Sequence, residues 1–480
     1  MRPAVVASSL LLATGLLAGC PDRSISRVTP AQGRVEAKDI PVTVNRDVDI
    51  LFIIDDSPSM GDKQANLAAN FKNFTDVLET IQGGLPNVHI AVVTSDMGSR
   101  GGNGTVAPGI GTLGQGGCAG SGKGGAMQLF GAPVSGGPFI SDIRLMDGSR
   151  QQNYSGALSD VFATMARAGA GGCGFEQHLE AMKQALQPSN AVNMGFLRAN
   201  AFLAVVFIAD EDDCSMQDTV GLLGPETPAI GAQQSFRCTR FGVTCDDNGA
   251  TPNAMNVVGP KAKCHPNDGS QYLTKVSGYV DFLKGLKDDP SKVIVAGIIG
   301  TSDPFATELR APKEDALAIP ALAHSCTYIG GDGKPEVADP PIRLRFFLDQ
   351  FPNRSTFASI CQMNLSAGLQ QIGDLLKTVI GDPCIEGKLA DVDPDTAGAQ
   401  YDCSVSSVTN PNAATGRTET IMPKCTPENA SATNQPCWHL DVDPVNCKAN
   451  DHFTLKVEGQ ASLPSDTHVI ANCVTEVTDN

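Results

Sequence analysis

The chain has 480 residues, a net charge of −17 from 35 basic and 52 acidic side chains, 15 cysteines and 41% hydrophobic residues. That apolar share suffices for a packed core and excludes wholesale disorder. The acidic balance excludes a nucleic-acid partner, because a phosphate backbone demands a basic face, and so many cysteines suit an oxidising compartment.

In chain order, Arg2 is followed by an apolar run from Ala4 to Leu17, then by Leu17-Ala18-Gly19-Cys20. The run is shorter than the roughly 20 residues of a membrane span, so it reads as a cleaved signal over residues 1–19. Its last four residues resemble the bacterial lipobox, which implies a lipid on Cys20 and an exported, envelope-anchored protein on either the outer membrane or the periplasmic face of the inner one. Removing Cys20 from the count leaves fourteen cysteines, eight before residue 381 and six after it. Each region can therefore close its own bridges. Residues 20–45 are polar and aperiodic and read as a tether, with Ile40 to Val44 able to form an edge strand.

Asp49 to Ile54 is a continuous apolar run, expected as a strand buried on both faces. Met60, Leu67, Phe71, Phe74, Leu78 and Ile81 then fall at helical spacing up to Gly83-Gly84. Val88–Thr94, Phe202–Ala209 and Val293–Ile299 repeat the buried-strand pattern. Leu179/Met182/Leu186, Val276/Val280/Leu283 and Leu365/Leu369/Leu376 mark helices between or after them. This alternation predicts an α/β domain over residues 46–381, a doubly wound and mostly parallel sheet. Two insertions interrupt it, at about 98–150 and 211–270. The first opens with 13 glycines in the 28 residues from Gly98 to Gly125 and reads as a long loop; the second carries four cysteines. Residues 382–480, with six cysteines and short β-like pieces, read as a small disulfide-rich β module.

Ligands of such sheets bind at the carboxyl ends of the strands. The first strand ends in Asp55-Asp56-Ser57-Pro58-Ser59 and the third in Ala209-Asp210-Glu211-Asp212-Asp213. Asp55, Ser57, Ser59 and Asp210 are hard oxygen donors, the set preferred by Mg²⁺, Mn²⁺ or Ca²⁺. The D-x-S-x-S after an apolar strand, the Gly171-Gly172-Cys173 loop before a helix and the strand ending at Asp210 together resemble a von Willebrand factor A domain. The resemblance covers about residues 46–381. It implies a metal-ion-dependent adhesion site on Asp55, Ser57, Ser59 and Asp210, reversible metal-bridged binding of a partner's acidic group, and no catalysis. Cys173 stands where that family usually has threonine, and sulfur is a poor ligand for a hard cation. Either water or Glu176 replaces it or metal binding is weak; Asp96 and Asp212 are candidates for supporting contacts, and a Cys173–Cys214 bridge above the same edge is one of the many pairings open to fourteen cysteines. An N-cap role for Ser57 or Ser59 is compatible with all of this.

Other signals fall short. Gly117 to Gly124 nearly spells a phosphate-binding loop, but Gly124 replaces the required hydroxyl and no buried strand leads into it. Asp391-Val392-Asp393-Pro394-Asp395 lacks the glycine and glutamate of a calcium loop and reads as a turn. The expected function is metal-dependent binding of a protein or other surface ligand at the cell envelope. The alternatives are a metal-free envelope scaffold and, less favoured, a hydrolase with its site in the insertions.

Overall fold

The computed structural model describes residues 35–38, 47–81, 84–145, 149–312, 315–380, 385, 388–409, 417–426, 436–444, 447, 451–459 and 468–476. The signal segment, Cys20, the expected edge strand at Ile40–Val44 and Cys384 lie outside them.

A central seven-stranded sheet is built from β1 (Asp47–Ile54), β2 (Asn87–Thr94), β3 (Ile140–Arg144), β4 (Arg150–Gln152), β5 (Phe202–Ile208), β6 (Val293–Ile299) and β7 (Ser355–Ser359). Its order is β7-β6-β5-β1-β2-β3-β4. The pairs β7·β6, β6·β5, β5·β1 and β1·β2 are parallel; β2·β3 and β3·β4 are antiparallel. The sheet is mixed and mostly parallel, as the continuous apolar runs of β1, β2, β5 and β6 require.

Alternate residues of β1 feed two cores. Ile50, Phe52 and Ile54 face α1 (Gly61–Asn70), α2 (Lys72–Glu79), α3 (Leu158–Met165) and α7 (Ser366–Ile380) through Leu67, Phe71, Phe74, Phe162 and Leu369. Leu51 and Ile53 face α4 (His178–Leu186), α5 (Val276–Lys284) and α6 (Ile342–Asp349) through Leu179, Leu283 and Phe347. Helices thus cover both faces. The single helix expected from Met60 to Ile81 is instead a 3₁₀ turn at Pro58–Met60 followed by α1 and α2, which break at Phe71 and end at Glu79. The apolar face still runs on through the break, because Phe71 itself is buried with Phe74.

Three expectations need correction. The segment 98–150 is not loop throughout: β3 and β4 extend the sheet from within it. Residues 211–270 are not a self-contained insertion. Their hairpin of Val243–Asp247 and Gly259–Pro266 pairs with a second excursion, Phe305–Arg310 and Ile319–Leu322, in one four-stranded antiparallel sheet. The tether is partly structured as well. Val35–Lys38 pairs antiparallel with His468–Val474 and so joins the C-terminal module. That module is β, as expected, with Val405, Met422, Trp438, Leu455 and Val469 in its core.

Cysteines before residue 381 pair among themselves: Cys118–Cys173, Cys214–Cys238, Cys245–Cys264 and Cys326–Cys361. In the tail, Cys403–Cys473 and Cys425–Cys437 pair, and Cys447 is also disulfide-bonded. The Cys173–Cys214 bridge does not form. Gly174 N–H donates to Gly116 O at 3.0 Å, holding the glycine-rich loop so that Cys118 lies 4.7 Å from Cys173 between Cα atoms. Cys214 faces Cys238 instead.

At the opposite edge of the sheet, His89 donates its Nδ1 proton to Phe196 O at 2.8 Å and is 8% exposed. Burial lowers its pKa to about 4, with Arg198 acting in the same direction and Asp47 against it. The unfolded chain therefore binds this proton more readily. The stabilisation from neutral His89 is complete above about pH 6.5 and is lost as pH falls through 4. We expect wild type to lose roughly 2 kcal/mol more than His89→Gln between pH 7 and 4, after discounting for the partly solvated ring. Urea denaturation of both proteins across this range measures the difference, and parallel pH profiles would reject the assignment.

Candidate metal centre

The end of β1 is anchored before the site begins: Asp55 N–H donates to Ile208 O at 2.9 Å, continuing the β1·β5 ladder one step further. The chain then turns sharply. Ser57 N–H donates to Asp55 Oδ1 at 2.8 Å, and Pro58 opens the 3₁₀ turn with its fixed φ. Ser57 sits at the N-cap position, but its hydroxyl caps no backbone N–H. It lies 3.0 Å from the Ser59 hydroxyl, which acts to lower the pKa of the Asp210 carboxylate. The two serines are therefore turned toward the carboxylates rather than toward the helix. The four predicted ligand residues come together at one sheet edge.

Three carboxylate oxygens there, Asp55 Oδ2, Asp210 Oδ1 and Glu176 Oε1, are buried and have no hydrogen-bond partner among the described residues. Both ring nitrogens of His178 are also buried and unpartnered, with Nε2 3.7 Å from Asp55 Oδ2. Burial opposes charge on His178, yet Asp55 outweighs it and raises the imidazole pKa. Burial lifts Asp210 to about 6, and the neighbouring Asp55 charge adds to this. Burial also pushes Glu176 well up, helped by Glu211 and Asp55. Glu211 is raised by burial and then by Asp339 and Asp210. Like charges are being held close in a desolvated place, an arrangement a cation relieves.

One cation is already built in. Lys63, 1% exposed, donates to Ser59 O at 3.0 Å and to Glu336 Oε2 at 2.8 Å, and pairs with Asp210 Oδ2 at 3.0 Å. Burial alone would lower the ammonium pKa; Asp210 and Glu336 reverse that and raise it. Sequence reasoning missed Lys63, although a signal existed: it lies three residues after Met60 and four before Leu67, on the buried face of α1. Glu336 and Asp339 come from the hairpin Cys326–Ile329/Pro335–Ala338, and only the fold brings that hairpin over the site. No local pattern announces it.

The remaining candidates separate clearly. Glu176 is 2% exposed and faces the cluster. Cys173 is in its disulfide, so no thiol is offered to a metal. Gly172 N–H donates to Asp56 O at 2.7 Å, and a Cβ at Gly172 would meet Asp56 Oδ1 at 2.4 Å, so this loop closes only with glycine. Asp96 does not touch Asp55. Its Oδ1 accepts from Gly98 N–H at 2.8 Å and secures the glycine-rich loop, while Ser95 donates its hydroxyl to Asp55 Oδ1 at 3.2 Å. Asp212 lines the cavity beside the cluster while accepting from the N–H groups of Arg343 and Leu344 at 3.0 and 3.1 Å, where it caps α6. Asp213 accepts from Leu179 N–H at 2.9 Å at the start of α4 and pairs with Arg343. Asp212 and Asp213 line the cavity with Asp210 and Glu211, but their oxygens are committed to the starts of α6 and α4. Lys123 of the near phosphate-binding loop pairs with Asp56. Asp391 Oδ1 accepts from Gln400 N–H at 3.0 Å within a turn.

A cavity of about 280 Å³ opens beside the cluster, lined by Ser59, Glu176, Asp210, Glu211, His324 and Asp339 among others. The donor set of two carboxylates and two hydroxyls fits a hard divalent cation, and the unpartnered oxygens of Asp55 and Asp210 are the ones such an ion would satisfy. No group of three or more His, Cys, Asp or Glu side chains among the described residues is arranged to hold a metal by itself. Serine hydroxyls and water must therefore complete any coordination.

No protein-family model matches the chain, and no curated protein matches it. Among solved structures it is similar to a von Willebrand factor type A protein from Catenulispora acidiphila, with a TM-score of 0.28, 11% identity, and coverage of 94% of this chain and 68% of that one. It is also similar to the pilus adhesin RrgA from Streptococcus pneumoniae, with a TM-score of 0.28, 13% identity, and coverage of 93% and 58%. The chain thus spans little more than half of that adhesin's length, and likeness at this level assigns it to no family.

Proposed function

We propose that this chain is an exported, lipid-anchored envelope protein whose von Willebrand factor A-like, doubly wound domain binds an acidic group of a protein or surface ligand through a divalent cation. Asp55, Ser57, Ser59 and Asp210 would hold the ion, Mg²⁺ in preference to Mn²⁺ or Ca²⁺, and Glu176 would stand beside it. The ion's contribution is an open coordination position that a partner carboxylate can fill. The chain's own residues aim the serine hydroxyls, bury the Asp55 and Asp210 carboxylates and keep Asp55 fixed through Ser95. The reading assigns no catalysis. It rests on the three unpartnered, buried carboxylate oxygens of Asp55, Asp210 and Glu176 at one sheet edge, a costly arrangement without a cation.

A second reading, a metal-free scaffold, is favoured by one specific observation: the Lys63 ammonium already neutralises Asp210. Metal-dependent stability separates the two. Mature protein stripped with EDTA and returned to 5 × Kd of Mg²⁺ is expected to gain about 1 kcal/mol from mass action, a gain absent in Asp55→Ala. Differential scanning calorimetry with and without Mg²⁺, Mn²⁺ and Ca²⁺ measures it. Identical transitions in all conditions for wild type would leave the scaffold reading standing and remove the metal one.

A further inference from the structure

A second, chemically opposite cavity opens beside the sheet shared by the two excursions. It measures about 180 Å³ and is lined by Arg237, Arg240, Gln234, Asn256, Ile230 and Ile319, with Phe236 and Pro320 completing its apolar side. Both arginines are covered, at 2% and 3% exposure. Arg237 is spent on the fold. Its guanidinium donates to the carbonyls of Ala232 at 2.8 Å, Leu222 at 2.6 Å, Gly224 at 2.7 Å and Gly231 at 2.6 Å, fixing the loop around the cavity. Arg240 is not. Its Nε donates to Pro252 O at 3.1 Å and its Nη2 reaches Asn253 Oδ1 at a long 3.4 Å, while Nη1 donates to nothing among the described residues.

Neither guanidinium forms an ion pair with a described carboxylate, in a chain where acids outnumber bases 52 to 35. Buried charges are ordinarily paired, and an unpaired guanidinium is costly unless something supplies the counter-charge. Burial lowers the pKa of both arginines, which is the same cost seen from the proton's side. Glu226 also lines the cavity and its charge partly offsets the burial of Arg237, but it is exposed and makes no ion pair among the described residues. Arg240 is further held by its own neighbour, with Cζ 4.9 Å from the Phe241 ring centroid, so its planar fork is pre-oriented.

We infer that this cavity binds a small organic carboxylate, its anionic head on Arg240 Nη1 and its apolar body against Ile230, Phe236, Ile319 and Pro320. An apolar cavity of roughly 150 Å³ accepts a benzene-sized body, so the volume suits an acid of that size. The site is independent of the metal reading, lying on other residues and taking the opposite charge. The same head group occurs on a free small acid and at the C-terminus of a peptide.

Isothermal titration calorimetry on the full mature chain with its disulfides intact tests this. The probes are benzoate, benzamide, and acetyl-Gly-Ala-Val as its free acid and its amide. Benzoate is expected to bind and benzamide not. Arg240→Gln, which keeps a donor for Pro252 O, weakens benzoate at least about tenfold, the loss of one charge-assisted pair. Ile319→Trp fills the cavity without touching Arg240 and abolishes binding. Glu226→Gln removes a like charge and tightens it. If the peptide acid binds and its amide does not, the cavity takes C-terminal carboxylates; if benzoate alone binds, it takes free small acids. Absence of benzoate binding, equal binding of benzamide, or an affinity unchanged in both Arg240→Gln and Ile319→Trp overturns the inference.

Discussion

Replacing Lys63 with methionine is expected to destabilise the metal-stripped protein by about 3 to 5 kcal/mol, the cost of leaving a buried charge without its partner. Methionine preserves most of the side chain's volume and packing, so the effect isolates the charge. Its loss frees Asp210 Oδ2 and Glu336 Oε2 at once and leaves Asp210, Asp55 and Glu176 in one desolvated group without a cation. The same substitution removes a positive charge from beside the proposed ligands, so Lys63→Met should gain more from added Mg²⁺ than wild type does. Urea denaturation in EDTA and in Mg²⁺ gives both numbers. A change below about 0.5 kcal/mol in EDTA would mean that Asp210 is not charged in the fold. A destabilised variant that Mg²⁺ fails to rescue would support the scaffold reading, with Lys63 as the resident cation.

The second large effect is in the core. Phe52 on β1 is fully buried, with ring centroids 4.6 Å from Phe162, 5.8 Å from Phe71 and 6.0 Å from Phe74. Phe71 and Phe162 also stack at 3.6 Å, so one ring on the sheet organises three on the helices above it. Phe52→Ala should cost about 3 to 5 kcal/mol through lost transfer energy and a cavity the neighbours cannot fill. Phe52→Leu should cost less than about 1.5 kcal/mol, because it keeps most of the volume. The denaturation midpoint should fall with no change in slope if the fold is retained. Equal effects of the two substitutions would show that packing around Phe52 is loose.

Much of this was legible in the chain. The apolar runs of β1, β2, β5 and β6 carry their own burial, because a strand covered on both faces has no polar positions to spare. Asp55 and Asp210 follow directly from where those runs stop. The breaks at Phe71 and at β3 and β4 were not legible. The first is a local turn inside an unbroken apolar stripe, and β3 and β4 are short strands of mixed character, with five and three residues, at one side of the sheet. The capping role of Asp212 was not legible for a related reason. In sequence it is one of a run of acids, and only the arrival of α6 from 131 residues away gives it backbone N–H groups to cap.

Cysteine number and grouping came from the chain alone, since the eight cysteines before residue 381 needed no partner outside that region. Which cysteine meets which was decided by tertiary structure, because a bridge cannot form between Cα atoms more than about 7 Å apart, and the glycine-rich loop alone brings Cys118 within reach of Cys173. The acidic surplus divides the same way. Sequence placed Asp55, Ser57, Ser59 and Asp210 at one edge, because strand ends are local events. The fold decided how those charges are met, carrying Lys63 inward on the buried face of α1 and bringing Glu336 and Asp339 from a distant hairpin. It also buried Arg237 and Arg240 without an ion pair to any described carboxylate. Net charge is a sum over the chain, but the energy of each charge depends on its burial and neighbours, and those exist only after folding.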